Sequence, residues 1–403
     1  MRSGPDPMSI HRLAVFLTVL FGISLSIHFY FWVRLVRPSA LPPPWPLLCT
    51  AWLALFAIYL PASLILERWT PRSVHTVFSW VTFVWMGFAF LLFALTLTGE
   101  LVRAARLAAS AARWLPGRED PDFLRGFHRA VSGGALGGAL LLSGLALFSG
   151  LGPVPVKRVR IALPRWPASL SPYTIAQISD LHVGPTLGRR FVLGVVEKIE
   201  RMKPDLIVIT GDLADGSVKE LASDLDPLSR LRARDGVYFV TGNHEYYSGV
   251  DAWVAFLRAR GIRVLRNERV SIGEAGGFDL AGVEDFHAHG PDPEHHPDLP
   301  RALAGRDPGR PLILLAHQPR AVVEASSLGV DLQISGHTHG GQIFPFHLIV
   351  NLTQPFLAGL HQLGRAHIYV SRGTGEWGPP MRLLAPREIT RIELIRDGAG
   401  TNM

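Results

Sequence analysis

Two rhythms of apolar and polar positions divide this chain. Up to about residue 155, long apolar runs dominate, at approximately 13–33, 46–66, 74–97 and 130–151. Each matches the roughly 20 helical residues needed to cross a hydrocarbon layer of about 30 Å. Four such runs in succession predict membrane-spanning helices rather than buried helices of a soluble domain. The first is too long for the apolar core of a signal peptide and lacks a small-x-small cleavage site. Trp32, Trp45, Trp69 and Trp114 fall near the ends of the spans, where interfacial aromatics belong. The fourth run contains "SGGALGGALLLSG", whose glycines allow helices to approach closely. The stretch 101–114, "LVRAARLAASAARW", spaces Arg103, Arg106 and Arg113 helically among Ala and Leu. It reads either as an interfacial amphipathic helix or as a continuation of the third span.

Pro153 and Pro155 end this pattern, since neither can continue a helix. From about residue 172 the text changes to short β-branched runs alternating with amphipathic helices. Strands are predicted at 173–178, 205–210, 236–240, 312–316 and 331–334, and helices near 189–203, 217–233, 251–260 and 319–328. Continuous apolar strands between helices predict an α/β fold with strands covered on both faces. The expected organisation is a membrane region over residues 1–155 followed by an α/β domain over 156–403.

Composition sharpens the split. Of 403 residues, 48% are hydrophobic and 18% charged. Residues 1–155 hold 12 Arg, no Lys and 6 acidic residues, whereas 156–403 hold 28 basic and 27 acidic residues. The net charge of +7 therefore resides almost wholly in the apolar part. It reflects membrane association; no nucleic-acid-binding face is expected, because the second part is nearly neutral. The single cysteine, Cys49, excludes an intramolecular disulfide and a cysteine-based zinc site. An even number of spans puts the N-terminus and the second part on the same side. The basic residues flanking the spans divide eight against eight between the two orientations. The dense 99–129 loop tips the count towards an extracytoplasmic domain on a multi-pass protein of a bacterial inner membrane.

Each predicted strand runs into a polar cluster. "SDLH" brings Asp180 and His182, "GDLAD" brings Asp212 and Asp215, and "GNHE" brings Asn243, His244 and Glu245. The fourth strand ends at His317 and the fifth at "GHTHGG", with His337 and His339. Sites in α/β sheets form outside the carboxyl ends of the strands, so five successive loops are expected to converge. The donor set mixes hard oxygens with imidazoles, which suits two divalent ions of manganese, iron or zinc. One cluster alone would carry little weight; five in order, all at strand ends, are specific.

These motifs resemble those of the calcineurin-like metallophosphoesterases: D-x-H, GD-x-x-D, GNHE, a lone His after a strand, and G-H-x-H, over roughly residues 172–395. "GHTHGGQI", "SRGTG" (371–375) and "APREITRIEL" (385–394) are similar to the YkuE/YaeI-like bacterial subgroup of exported or membrane-tethered phosphoesterases. The resemblance implies a four-layer sandwich of two mixed β-sheets flanked by helices. It implies that Asp180, His182, Asp212 and His339 hold one ion, and Asp212, Asn243, His317 and His337 the other. Asp212 then bridges, and water acidified by both charges is the nucleophile. His244 would protonate the leaving oxygen, oriented by Asp215. Gly216 after Asp215 and Thr241 before Gly242 replace the two phosphate-clamping arginines of the related protein Ser/Thr phosphatases, which disfavours a phosphoprotein substrate.

Other conspicuous residues carry plainer expectations. "EDFHAHGPDPEHH" (284–296) holds four histidines, but its proline-interrupted spacing predicts a surface loop rather than a third metal site. Glu245 is expected to cap a turn. Arg372 is expected either to contact phosphate or to form a structural ion pair. The combined expectation is a membrane-bound hydrolase of a phosphomonoester or phosphodiester, with a lipid-linked or envelope substrate suggested by the spans. UDP-2,3-diacylglucosamine pyrophosphatase activity is the enzymatic alternative. A non-catalytic receptor for a phosphorylated ligand is the alternative from another class, and the intact ligand set and His244 weigh against it.

Overall fold

Strand "LIVIT" shows how this chain builds its interior: all five side chains are buried, so it can only be a central strand covered on both faces. Two sheets are assembled around such strands in the computed structural model, which describes residues 10–66, 72–112, 120–273, 276–288 and 295–398. Trp69, Trp114, Arg113 and His289, singled out above, lie outside the described residues. By its internal packing the chain divides into two compact units, residues 1–148 with Pro379–Met381, and residues 149–378 with 382–403.

The first unit contains helices α1 (Ile10–Phe31), α2 (Trp45–Leu66), α3 (Arg72–Ala111) and α4 (Pro121–Leu151), the last running on into the second unit. All four are long and apolar enough to cross a membrane. Helix α3 continues unbroken through residues 101–111, so this stretch extends the third span. Its charges are matched locally: Glu100 accepts from Arg34 at 2.8 Å, from Arg103 at 2.7 Å and from the Tyr30 hydroxyl at 3.2 Å. Pairing of this kind is what makes charged groups tolerable near a bilayer.

The second unit carries twelve described strands: β1 (Val156–Leu163), β2 (Tyr173–Ile178), β3 (Leu206–Thr210), β4 (Val237–Val240), β5 (Arg263–Val264), β6 (Glu268–Ile272), β7 (Phe278–Gly282), β8 (Leu312–Leu315), β9 (Leu332–Ser335), β10 (Gly359–Leu363), β11 (Ala366–Val370) and β12 (Ile389–Arg396). They form two six-stranded sheets, ordered β1-β12-β2-β3-β4-β5 and β10-β11-β9-β8-β7-β6. Both are mixed: β12 runs antiparallel to β2, and the β10–β11 and β6–β7 pairs are antiparallel, while the central pairs are parallel.

Alternation along the strands sorts side chains between layers. Leu206 and Val208 of β3 face the inter-sheet core with Ile313, Leu315, Leu332 and Ile334 of the other sheet. Ile207 and Ile209 point the opposite way. There they meet helices α5 (Arg189–Met202) and α6 (Val218–Leu225), and Trp253 and Leu257, which lie on α7 (Val250–Arg258). The outer face of the second sheet is covered by Leu299, Ala302 and Ala325 from two short helices. The result is two mixed sheets with helices on both outer faces, the architecture the resemblance implied. The five strands read from the sequence are β2, β3, β4, β8 and β9. Three belong to one sheet and two to the other.

Candidate dinuclear metal centre

Because β2, β3, β4, β8 and β9 all end at one edge of the sandwich, the polar clusters that follow them meet there. Beneath them, the buried Gln177 side chain donates to Thr210 Oγ1 and to the Ser335 carbonyl, both at 2.9 Å, tying the ends of β3 and β9 together across the sheets. The turns above are tight. A Cβ on Gly336 would lie 1.9 Å from Ser179 Oγ and 2.3 Å from Asp180 Oδ2, so only glycine lets this backbone pass the carboxylate. Gly340 and Gly341 also permit the turn, but they abut Arg372 and Ala385, and His347, rather than the polar centre.

The candidate ligands converge in overlapping groups: Asp180, His182 and His339; His182, Asp212 and His244; and Asp212, His317 and His337. Asp212 is central. Its Oδ2 lies 3.1 Å from His317 Nε2 and 3.7 Å from His182 Nε2, while its Oδ1 accepts from the His244 backbone N–H at 2.9 Å. On one side, His339 Nε2 is 3.0 Å from His182 Nε2 and 3.5 Å from Asp180 Oδ1. On the other, His337 Nδ1 is 3.1 Å from His317 Nε2.

The donor chemistry fits divalent cations. His182 donates through Nδ1 to Asp215 Oδ1 at 2.8 Å, and His317 through Nδ1 to the Thr210 carbonyl at 2.7 Å. Each therefore turns a lone pair on Nε2 towards a second imidazole nitrogen, an arrangement suited to a cation between them. Asn243 Oδ1 is buried with no hydrogen-bond partner among the described residues. Burial would push His182 and His317 down, but Asp215 and Asp212 raise His182 to about 9 and Asp212 raises His317 well above the ordinary value, so a bound cation would displace a proton from each. Burial would push the Asp212 carboxyl up, but His317, His244 and His182 hold it well below the usual range. Burial and the neighbouring His317 push His337 down to about 3, and burial, His182 and Arg382 push His339 down as well. The two turn histidines are thus neutral donors.

Asp215 is shared. Its Oδ1 sits 2.8 Å from His182 Nδ1 and 2.8 Å from His244 Nδ1, so one carboxylate orients two imidazoles. Glu245 is fully buried and accepts from the backbone N–H groups of Asp212 at 3.0 Å, Leu213 at 2.8 Å and Gly242 at 2.7 Å. It caps the turn, as its position suggested, and also fastens the β3 loop to the β4 loop. Arg372 pairs with Glu388 at 3.2 Å. In the 284–296 loop, His287 lies 3.4 Å from Asp285, and His295 lies 3.3 Å from Glu284 and contacts Arg266. Among the described residues this loop contributes no metal-ligating group of three.

Sequence reasoning passed over Arg382. It is buried, and Nη1 donates to the carbonyls of His339 at 2.9 Å and Arg372 at 2.8 Å. Nη2 meets His339 Nδ1 at 3.1 Å and bonds the Gly375 carbonyl. An arginine between prolines and apolar residues in "GPPMRLLAP" was the available signal, since a buried guanidinium needs several acceptors.

The model of the calcineurin-like phosphoesterase family matches residues 173–341. An uncharacterized metallophosphoesterase of Helicobacter pylori is 39% identical over 287 residues, covering 70% of this chain and 74% of that protein. A Bos taurus transmembrane protein with a metallophosphoesterase domain is 41% identical, covering 63% of this chain and 60% of its own length. The uncharacterized metallophosphoesterase YkuE of Bacillus subtilis is 32% identical, covering 68% of this chain and 96% of its own. With four membrane-length apolar helices ahead of a metal-binding cluster at matched strand ends, this chain is a membrane protein that belongs to the calcineurin-like metallophosphoesterases, a family of metal-dependent phosphoric ester hydrolases.

Proposed function

We propose that the protein hydrolyses a phosphomonoester or phosphodiester carried on a lipid or another membrane-associated molecule. The observation that carries this reading is the placement of Asp212 between two groups of imidazoles, with His244 beside it and partly open to solvent. Asp180, His182, Asp212 and His339 would hold one divalent ion, and Asp212, Asn243, His317 and His337 the other. Two such ions supply Lewis acidity at the phosphoryl oxygens and acidify water.

The rest falls to the chain's own groups. Asp215 accepts from Nδ1 of both His182 and His244, which keeps Nε2 of His182 free as a donor atom and leaves Nε2 of His244 to carry a proton. Burial disfavours the charged His244, but Asp215 and Asp212 raise its pKa above the ordinary value. His244 is therefore suited to hold a proton near neutral pH and deliver it to the leaving oxygen. Its side chain is 17% exposed, which lets solvent restore that proton. Glu245, bound to three backbone N–H groups, is occupied as a clamp and takes no part in proton transfer.

Full-length protein in detergent, supplied with manganese, is expected to hydrolyse bis-p-nitrophenyl phosphate. Asp212→Asn and His244→Ala should each lower turnover by about 100-fold or more. Absence of turnover, or turnover unaffected by both substitutions, would leave the receptor reading in its place.

A further inference from the structure

The segment after His339 is built unlike the rest of its domain. Between Asp331 and Arg365 the chain contains no Asp, Glu, Lys or Arg, although 18% of the whole is charged. Its first part is buried as β9 and the site turn. Its second part lies at the surface, with Phe344 45% exposed, Leu348 60%, Ile349 53% and Leu352 84%. Trp377 and Leu383 are fastened alongside. Gln342 Nε2 donates to the Trp377 carbonyl at 2.8 Å, the Trp377 N–H donates to Gln342 Oε1 at 3.0 Å, and the Phe344 N–H donates to the Leu383 carbonyl at 3.2 Å. Trp377 and Leu384, 51% and 79% exposed, thereby join the same surface. Leu384 also has φ 60°, a left-handed conformation that leucine rarely adopts, and its side chain is nonetheless turned out to solvent.

Scattered apolar side chains on a surface need no explanation, but an uncharged group of six around one hydrogen-bonded turn does. The occupant follows from the chain itself. Helix α4 ends at Leu151 and β1 begins at Val156, so the domain follows closely on a membrane-length helix. Long aliphatic side chains with an exposed tryptophan and no charge are the composition of a surface that enters the headgroup and upper acyl region. Gln342, at the centre of the group, is three residues from His339.

We propose that residues 343–352, with Trp377 and Leu384, form an interfacial lip that dips into the bilayer and delivers the phosphoester of a lipid-anchored substrate to the site beside His339. This rests on the phosphoesterase reading above for its substrate, but not for its contact with the membrane.

The two parts are separated by experiment. In a Cys49→Ser background, full-length protein is labelled with an environment-sensitive fluorophore at Leu352→Cys, or at Asp251→Cys as a reference on an 80%-exposed side chain. Both are reconstituted into phosphatidylcholine–phosphatidylglycerol vesicles carrying nitroxide on the upper acyl chain. Fluorescence at position 352 should fall at least about twofold relative to unlabelled lipid, and at position 251 should not change. No quenching at 352 overturns the lip. So does shielding that appears only at high protein-to-lipid ratio, which would assign the surface to a second copy. As a second measurement, Leu348→Asp with Leu352→Asp should lower the ratio of turnover on a vesicle-embedded long-chain p-nitrophenyl phosphodiester to turnover on the soluble diester by about tenfold. An unchanged ratio overturns the delivery role. Failure of wild type to turn over either diester would overturn the enzyme reading while the quenching result still decides the membrane contact.

Discussion

Five of the candidate ligands stand in left-handed backbone conformations: Asp180 at φ 54°, His182 at 45°, Asp212 at 54°, His337 at 72° and His339 at 51°. Each such conformation costs a non-glycine residue about 1–2 kcal/mol, so the loops at the strand ends are strained together. What opposes the strain is a set of buried polar clamps, Gln177, Glu245 and Arg382, each bonded to the backbone of a loop or strand end. Glu245 is the sharpest test. Glutamine in its place keeps the size but offers one acceptor oxygen, and its amide N–H₂ would face a backbone N–H. Leaving a buried N–H unmet costs about 1–3 kcal/mol. Glu245→Gln is expected to fold, with far-UV circular dichroism like wild type. It should bind fewer than the wild-type number of metal ions by mass spectrometry and lose about 10- to 100-fold in activity. Full metal content in this variant would show that the clamp is dispensable.

At the scale of elements, the site depends on two sheets keeping their edges aligned. Trp166, which follows β1, packs its ring 5.0 Å from Phe278 of β7 and 5.6 Å from Tyr173 of β2, and Tyr173 and Phe278 are 5.3 Å apart. These three buried rings join one sheet to the other at the end of the inter-sheet core. Phe278→Ala is expected to destabilise the domain by roughly 3–5 kcal/mol, lowering the thermal midpoint in detergent by roughly 10 °C. An unchanged midpoint would mean the sheets are held elsewhere. The strands legible in the sequence are those with mostly apolar runs leading into Asp, Asn or His. Strands β1 and β12 escaped because "VKRVRIAL" and "ITRIELIR" alternate charged and apolar residues and are only partly buried. Their pairing in parallel, at the edge of the first sheet, joins residues more than 200 positions apart, a register that no local pattern encodes.

At the scale of the whole molecule, the membrane-length helices and the candidate metal centre lie on different parts of one chain. The side of the membrane that the second part faces is a matter of charge around the spans, where the 99–129 loop tips an even count. Alkaline phosphatase fused at the C-terminus in a bacterial host is therefore expected to be active, and a fused green fluorescent protein dark. The reverse pattern would place the domain in the cytoplasm.

By itself the sequence determined the four membrane-length helices, the α/β character of the second part, and which residues gather at the strand ends, because burial and strand polarity leave periodic marks in the chain. Tertiary structure alone decided which strand ends each of the two sheets supplies, that Asp215 serves two histidines, and that Arg382 closes over His339. It also decided that the uncharged turn after the site faces outward. Each of these depends on which atoms meet across long separations in the chain, and that is a property of packing rather than of local pattern.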